Sequence, residues 1–175
     1  GEIVGVTGLD GNGQDDFVKI LAGVQEAHGG ITEILDNNEN FVKYNSLDNA
    51  KNNGISFVSG DRKKEGILPN LSIYENLVVP LYKKTSRGGF LGFVDWLELN
   101  GIFDWEVDRL SIKTGPRDNL IGSLSGGNQQ KVMIARSFAQ HPKVLILNDP
   151  ARGIDVSTKR DLYTHLRNYV EEGNT

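Results

Sequence analysis

Short apolar runs alternate along the chain with segments whose apolar residues recur at helical spacing. A run of four or five apolar or β-branched residues between polar turns is typical of a core strand, and apolar residues three or four positions apart are typical of a helix. The runs that predict strands are residues 3–7, 31–35, 55–59 and 144–147. The segments that predict helices are residues 17–21, 46–53, most of 67–120, 130–139 and 158–170.

Local signals refine several of these elements. The polar stretch at residues 36–40 predicts a turn, so the run before it is expected to form an edge hairpin. Ser46 or Asn45 is suited to cap the helix that follows. Trp96 and Trp105 are expected in the core or in an interface rather than as platforms for a ligand. The residues of the last helix that are expected to face inward are Leu162, Leu166, Tyr169 and Val170.

Composition and charge narrow the class of protein. With 175 residues, 38% of them hydrophobic and 24% charged, the chain has the length of one domain and enough apolar side chains for a core. Its net charge of -4 offers no basic footprint for nucleic acid. No apolar run approaches the 18 or more residues of a membrane span, so the chain itself is not expected to cross a bilayer. It contains no cysteine, which excludes disulfides and fits a cytosolic compartment. Its start at Gly1 without an initiator Met suggests a piece of a longer protein.

A glycine-rich loop follows the first apolar run and leads into the first predicted helix. Its glycines match the frame of the phosphate-binding pattern G-x-x-x-x-G-K-[ST], in which backbone N–H groups curl round a phosphate. Gln14 stands where the pattern has Lys, and Asp15 stands where it has a hydroxyl for Mg²⁺. The candidate nucleotide-binding residues are Gly8, Leu9, Asp10, Gly11, Asn12, Gly13, Gln14, Asp15 and Asp16.

These two departures weaken the predicted phosphate site. Each makes the local charge more negative by one unit, and Asp16 adds a carboxylate in the first helical turn. One unit-charge interaction at about 5 Å and an effective dielectric of about 20 amounts to about 3 kcal/mol, so several kcal/mol of triphosphate affinity could be lost. Three interpretations stay open: a weakened nucleotide site, a site in which Asp15 itself binds Mg²⁺ through its hard oxygens, and a glycine-rich turn without a ligand.

A second glycine-containing turn precedes the helix predicted at residues 130–139. A Ser hydroxyl, backbone N–H groups free of Cβ obstruction and the positive end of a helix dipole can together hold a phosphate. By itself such a turn is more often a plain Ser-capped helix start. Here the strand at residues 144–147 follows it, and then Asn148, Asp149, Pro150 and the Gly-Ile-Asp of residues 153–155. The residues of the turn are Leu124, Ser125, Gly126, Gly127 and Asn128.

This combination resembles the signature-to-Walker-B segment of ATP-binding cassette (ABC) proteins, and the resemblance covers essentially the whole chain. It implies a P-loop NTPase (RecA-like) core of α/β class with a mainly parallel sheet, and an inserted helical subdomain that carries the signature. The core would be residues 1–66 and 138–175, and the helical subdomain residues 67–137. Residues 60–66 and 72–77 are similar to the C-terminal ATP-binding half of tandem monosaccharide importers of the ribose, galactose and xylose type.

The resemblance also implies roles for the residues at the end of the strand 144–147. Asn148 takes the position of the acid that holds the water shell of Mg²⁺, and it keeps an oxygen but not the charge. Asp149 takes the position of the Glu that orients the attacking water, with a side chain shorter by one methylene. The carboxylate is thereby drawn back by about 1.5 Å, and a misplacement of about 1 Å can cost about 10²-fold in rate. Asp15 and Asn148 are thus the candidate Mg²⁺ ligands, Asp149 is the candidate catalytic residue, and ATP with Mg²⁺ is the implied cofactor.

The resemblance implies partners as well. ABC domains work as head-to-tail pairs in which each ATP lies between one P-loop and the other domain's signature. We therefore interpret the chain as a domain whose own ATP site is degenerate and whose residues 124–128 complete the partner's site in trans. The implied partners are a second ABC nucleotide-binding domain in the same polypeptide, membrane permease subunits and, indirectly, a sugar-binding protein; no nucleic acid is expected. The implied location is peripheral, at the cytoplasmic face of the cell membrane.

Two alternatives stay open. One is a fully active ABC ATPase in which Asp15 and Asp149 serve as unusual ligands. The other is a soluble ABC protein that acts on ribosomes or DNA without a permease. The acidic balance of the chain and residues 60–66 favour the transporter.

Overall fold

The computed structural model describes residues 1–9, 11–36, 39–82, 86–87 and 93–173. Its internal contacts divide the chain into two compact units. The first unit consists of Gly1–Val58, Pro142–Asn148 and Arg167–Thr175, and the second of Ser59–His141 and Asp149–Leu166. The division into a core and a helical subdomain that the resemblance implies stays a prediction.

A parallel pair of strands lies at the centre of the first unit. The strands are β3 (Ile55–Val58) and β6 (Val144–Leu147), which pair in register over all four residues. Both strands were predicted from their apolar runs, and both predictions are confirmed. β3 is largely buried, whereas β6 is half-buried along its length rather than fully buried as expected.

The predicted edge hairpin is also present in the first unit. Its strands are β1 (Thr32–Leu35) and β2 (Phe41–Tyr44), which pair antiparallel. In the turn between them, the Asp36 carboxylate accepts a hydrogen bond from the Asn40 N–H at 2.9 Å. A short polar side chain that bonds to backbone further along the turn is the reason that Asp is favoured there.

Two helices belong wholly to the first unit, α1 (Gln14–Leu21) and α2 (Leu47–Asn52). α2 begins after Ser46, whose hydroxyl oxygen accepts a hydrogen bond from the Asn49 N–H, as the predicted cap requires. The core beside α2 consists of Tyr44, Ala50 and Ile55, with Ile34, Val144 and Ile146 packed against them.

The predicted strand at residues 3–7 is not formed, and this expectation is wrong. Ile3, Val4 and Val6 are 59%, 73% and 52% exposed, and the first element of the described chain is α1. A strand needs a neighbour that takes up its backbone hydrogen bonds and a surface that covers its side chains. In the part of the chain that the structure describes, no strand pairs with this segment.

The core of the second unit is helical. It is formed by α3 (Ile73–Val78), α4 (Trp96–Arg109) and α5 (Gly126–Phe138). Of residues 67–120, which were predicted to be mostly helical, α3 and α4 are helices, whereas residues 86–87 and 93–94 form short strands. Large side chains that are fully buried between these helices are Ile73, Leu77, Leu99, Met133, Ile134 and Phe138. The shorter elements are a π-helical turn at Arg62–Gly66, 3-10 turns at Val79–Leu81 and Ile121–Ser123, and the antiparallel strands β4 (Ser86–Arg87) and β5 (Phe93–Val94).

The last helix, α6 (Val156–Glu171), is amphipathic as predicted. Leu162 and Tyr169 are buried, and Leu166 and Val170 are half-buried. Among the described residues, no helix has both the length and the apolar character that a bilayer span requires.

α3 is fixed at its start by a capping box. The Ser72 hydroxyl accepts from the Glu75 N–H at 3.1 Å, and the Glu75 carboxylate accepts from the Ser72 N–H at 2.8 Å. One turn further on, the amide of Asn76 is 1% exposed and exchanges hydrogen bonds of 2.8 and 2.9 Å with the backbone of Leu68. These bonds attach the loop before α3 to the helix.

Two expectations in the second unit need correction. Trp96 and Trp105 are 57% and 66% exposed, so neither lies in the core, and a role in an interface stays a prediction. α5 begins at Gly126 rather than near Gln130, because Ser125 provides the cap and both glycines adopt the helix.

Candidate functional site

The glycine-rich loop uses the conformational freedom of two of its glycines. Gly11 and Gly13 have φ values of 83° and 85°, in the left-handed region that glycine adopts without strain. The Asn12 N–H donates to the Leu9 carbonyl at 3.1 Å, and the Phe17 N–H donates to the Gly13 carbonyl at 2.9 Å, where α1 begins. The loop therefore turns tightly into the start of α1. Asp10 lies outside the described residues.

Gln14 folds back across this loop. Its amide nitrogen donates to the Leu9 carbonyl at 2.8 Å, and its amide atoms lie about 3.7 Å from the point where a Cβ on Gly8 would be. The amide oxygen of Gln14 is buried and accepts no hydrogen bond from the described residues. A buried acceptor without a hydrogen bond lowers the stability of the folded chain by about 1–3 kcal/mol. The position that carries a cation in the phosphate-binding pattern thus holds a neutral amide that closes on the loop itself.

The structure brings together two of the positions predicted to bind Mg²⁺. The Asn148 amide nitrogen donates to the Asp15 carboxylate at 2.5 Å. Asn148 follows β6, and its N–H donates to the Val58 carbonyl at 3.0 Å, which fixes it beside the end of β3. Asp15 also pairs with Lys19 one helical turn further on, at 2.8 Å. Asp16 lies in the same first turn of α1 and is exposed.

The chemistry of this pair fits a magnesium ion that is also held by a nucleotide. Mg²⁺ is usually bound through one or two carboxylates together with substrate phosphates and waters. Asp15 supplies one carboxylate and Asn148 one amide oxygen, and both side chains face solvent. Within the described residues there is no group of three or more His, Cys, Asp or Glu side chains that could hold a metal ion without such help.

Ser125 and Asn128 form the second glycine-containing turn. The Ser125 hydroxyl oxygen accepts from the Asn128 N–H at 3.4 Å and from the Asn128 amide at 3.1 Å. The Asn128 amide oxygen in turn accepts from the Lys113 N–H at 3.0 Å. Ser125 is exposed, and Leu124 before it is buried. The turn is therefore anchored on one side and presents a hydroxyl and the first N–H groups of α5 on the other.

The two glycines of this turn are closely approached by side chains. A Cβ on Gly126 would lie 3.0 Å from a guanidinium nitrogen of Arg62, and a Cβ on Gly127 would lie 3.0 Å from the methyl group of Thr158. Thr158 also donates its hydroxyl to the Asp155 carboxylate at 2.7 Å and its N–H to the same group at 3.0 Å. The hydrogen bond from the Thr158 N–H, followed by that from its hydroxyl, lowers the pKa of Asp155.

Asp149 has an unusual backbone conformation. Its φ of 41° lies in the left-handed region, which Asp tolerates better than most residues. Its carbonyl accepts from the Arg152 N–H at 3.1 Å, and its side chain is exposed. Asp149 begins the second segment of the second unit, whereas Asp15 and Asn148 belong to the first unit.

Sequence reasoning missed three side chains at these sites: Lys19, Arg62 and Thr158. The spacing of Lys19, four residues after Asp15 in a helix, could have revealed the ion pair. Thr158, three residues after Asp155, has the spacing of a helix cap. No local pattern could have revealed that Arg62 packs against Gly126, since 64 positions separate them.

Comparison with known proteins shows that the fold is that of a P-loop NTPase domain. A family model described as "ABC transporter" matches residues 1–152, and the chain belongs to this family. The ribose import ATP-binding protein RbsA of Bacillus cereus (strain ZK / E33L) is 38% identical over an alignment of 175 residues, which covers 99% of this chain and 34% of that protein. The protein of the same name from Roseobacter denitrificans is 35% identical over 173 residues, or 33% of its length. The chain thus spans about a third of the length of these relatives.

Solved structures support the same fold. A dimeric structure of the ATP-binding cassette MJ0796, in a post-hydrolysis state with ADP and Pi, has a TM-score of 0.73 and 23% sequence identity. The similarity covers 93% of this chain and 66% of that one. A second dimeric structure of the same cassette gives a TM-score of 0.74. The predicted fold class is thereby confirmed.

Proposed function

We propose that the chain is an ATP-binding domain of an ABC importer for sugars, with a weakened nucleotide site of its own and a signature turn that completes the site of a partner domain. The relatives that it matches over nearly its whole length are named for ribose import. In this proposal the chain pairs with a second ABC domain, carried by the same longer polypeptide, and acts on permease subunits at the cytoplasmic face of the membrane. A sugar-binding protein supplies the transported sugar.

The weakened site rests on Gln14, Asp15 and Asn148. Relative to the phosphate-binding and Walker-B patterns, Gln14 removes one positive charge, Asp15 adds one negative charge and Asn148 removes one negative charge, so the site is more negative by one unit. Lys19 offsets part of this charge, but its ammonium is held by Asp15. The Gln14 amide nitrogen donates its hydrogen bond to the Leu9 carbonyl. A triphosphate that enters this loop would meet one cation fewer than the pattern provides, and it would have to displace the Gln14 amide.

The signature turn has the features that a phosphate in trans requires. Ser125 is exposed, its oxygen accepts from Asn128, and its O–H therefore points to another acceptor. The N–H groups of Gly126 and Gly127 stand at the start of a helix of 13 residues, where the dipole favours negative charge. The contrast between this well-formed turn and the loop closed by Gln14 is the observation that carries the proposal.

The test is the steady-state ATPase activity of the whole protein that contains this domain, assembled with its partner domain and permease. Ser125→Ala should lower kcat by about 10²–10³-fold, because one donor to the transferred phosphoryl group is lost. Gln14→Ala should change kcat by less than about twofold, since turnover takes place on the partner's P-loop. Ser123→Ala is a matched control, because its exposed hydroxyl donates only to the nearby Leu120 carbonyl. Equal losses in Ser125→Ala and Gln14→Ala, or full activity in Ser125→Ala, would contradict the proposal.

A further inference from the structure

The side chain of Arg62 packs against the signature turn within the second unit. The guanidinium carbon of Arg62 lies 3.4 Å from the point that a Cβ on Gly126 would occupy, and one of its terminal nitrogens lies 3.0 Å from it. A Cβ at position 126 would therefore crowd the guanidinium, which would have to shift by a few tenths of an ångström. Glycine at this position lets Arg62 pack closely against the start of α5.

The segment that carries Arg62 is closed by hydrogen bonds between its own residues. The Ser59 hydroxyl donates to the Glu65 carboxylate at 2.5 Å, and the Asp61 carboxylate accepts from the Lys64 N–H at 3.1 Å. These bonds close the π-helical turn at Arg62–Gly66 on itself. The backbone on either side of Arg62 is therefore tied together by local hydrogen bonds.

A second contact joins the same turn to α5. Arg136 donates from its guanidinium to the Gly66 carbonyl, and a Cβ on Gly66 would overlap the methyl group of Met133 at 2.3 Å. Gly126 and Met133 are seven residues apart, which corresponds to about 10 Å along a helix. Residues 59–66 therefore hold α5 at two points, one at its start and one about two turns later.

The contact at the start of α5 does not serve the fold in an obvious way. The Arg62 Nε is buried and has no hydrogen-bond partner among the described residues. A buried donor without a partner lowers stability, and local arrangements of this kind persist where function requires them. The guanidinium is planar, so it can lie flat against a glycine backbone in a way that an ammonium cannot.

We propose that Arg62 is a positioning residue for the signature turn. Its guanidinium, packed against Gly126, holds Ser125 and the first N–H groups of α5 where the partner's nucleotide needs them, and it links residues 59–66 to that site. This inference rests on the proposed function, because it presumes that the turn completes a site in trans.

The experiment uses the whole protein with its partner domain and permease, and compares Arg62→Ala, Ser125→Ala and the double variant. Arg62→Ala should lower kcat about tenfold and leave the KM for ATP and the melting temperature nearly unchanged. The double variant should be no slower than Ser125→Ala alone, because Arg62 acts through the turn that Ser125 belongs to. Lys63→Ala, an exposed neighbour in the same turn, is the matched control and should behave as the unaltered protein. Arg62→Gln replaces Arg62→Ala if the latter does not fold.

The outcomes separate the two proposals. If Ser125→Ala loses activity and Arg62→Ala does not, the positioning role is wrong and the proposed function stands. If the effects of Arg62→Ala and Ser125→Ala multiply in the double variant, or if Arg62→Ala lowers the melting temperature together with kcat, Arg62 is a structural residue and the inference is overturned. If Ser125→Ala itself keeps full activity, the proposed function fails, and the inference fails with it.

Discussion

Asp15 and Asn148 form what we call an exchanged pair: relative to the family pattern, the carboxylate stands in the first turn of α1 and the neutral group at the end of β6. Asn148→Asp replaces a donor that lies 2.5 Å from the Asp15 carboxylate with a second carboxylate. The hydrogen bond, worth about 0.5–1.5 kcal/mol, is lost. Two charges about 3 Å apart repel by about 1.4 kcal/mol in bulk water and by about 5 kcal/mol at an effective dielectric of 20. Asp15 is 57% exposed, so the lower figure applies and we expect a loss of about 2–3 kcal/mol in all.

The second change should restore most of this loss. Asp15→Ser in the Asn148→Asp background places a hydroxyl donor beside the new carboxylate, at the cost of the surface ion pair with Lys19, which is worth about 0.3–0.5 kcal/mol. The double-mutant cycle, measured by urea unfolding, should therefore give a coupling energy of about 2 kcal/mol. Added Mg²⁺ should raise the melting temperature of Asn148→Asp more than that of the unaltered chain, because two adjacent carboxylates bind it better than one.

The control for this cycle is Asp16→Ser, which removes the neighbouring exposed carboxylate of the same helical turn. It should show no coupling with Asn148→Asp. A coupling energy below about 0.5 kcal/mol for Asp15 and Asn148, or the same value for Asp16 and Asn148, would refute the exchanged pair.

Three further predictions concern the stability of the domain. Gly23→Ala should lower the free energy of unfolding, measured in urea, by about 2–4 kcal/mol, because Gly23 has a φ of 70° and the new Cβ would lie 2.6 Å from the Ser46 carbonyl oxygen. The control Gly29→Ala, with nothing within 4 Å of the new Cβ, should be near neutral. Equal losses in the two variants would contradict this account. Ser72→Ala should cost about 1 kcal/mol by the same measurement, because it removes the cap of α3, and an unchanged midpoint would show that the capping box does not contribute. Burial, with Lys131 as the next cause, lowers the pKa of His165. Since the folded chain then binds fewer protons than the unfolded one, the free energy of unfolding should fall as the pH drops below the unfolded pKa of about 6.5, and it should fall less steeply in His165→Gln. Identical pH profiles of the melting temperature in the two proteins would contradict this.

Elements with local signals could be predicted from the sequence. Ser46 was correctly interpreted as a cap because its contact with the Asn49 N–H lies within a few residues. The apolar runs at residues 55–59 and 144–147 were correctly interpreted as strands from their local pattern, although that pattern did not show that the two strands pair with each other. The run at residues 3–7 carries the same apolar signal but forms no strand, since pairing depends on a neighbour that the local sequence does not specify. For Trp96 and Trp105 the structure excludes the core, and the expected interface role stays a prediction, because burial depends on what packs over a residue and the local sequence does not specify it.

In the candidate site, too, features with a local signal could be predicted and contacts between distant residues could not. The motifs indicated that Ser125 could cap a helix, as it does, and they assigned Asp15 and Asn148 to one site, where the two side chains are in contact; their role in binding Mg²⁺ stays a prediction. The motifs could not predict that the Gln14 amide would donate to the Leu9 carbonyl, because the rotamer of a side chain at this position is set by its contacts with the surrounding loop. Nor could they predict the contact between Arg62 and the signature turn, which joins distant parts of the chain.

The central claim is that the two ATP sites of the assembled protein differ, and that the weaker one is built on residues 8–16. The most direct measurement is an equilibrium titration of MgATP into the whole protein, with counting of tightly bound nucleotide and single-turnover hydrolysis in the same preparation. We expect one tight site that is hydrolysed, unchanged in Gln14→Ala and made inactive by Ser125→Ala. Two sites of equal affinity that are both hydrolysed at the same rate, one of them lost in Gln14→Ala, would contradict the claim.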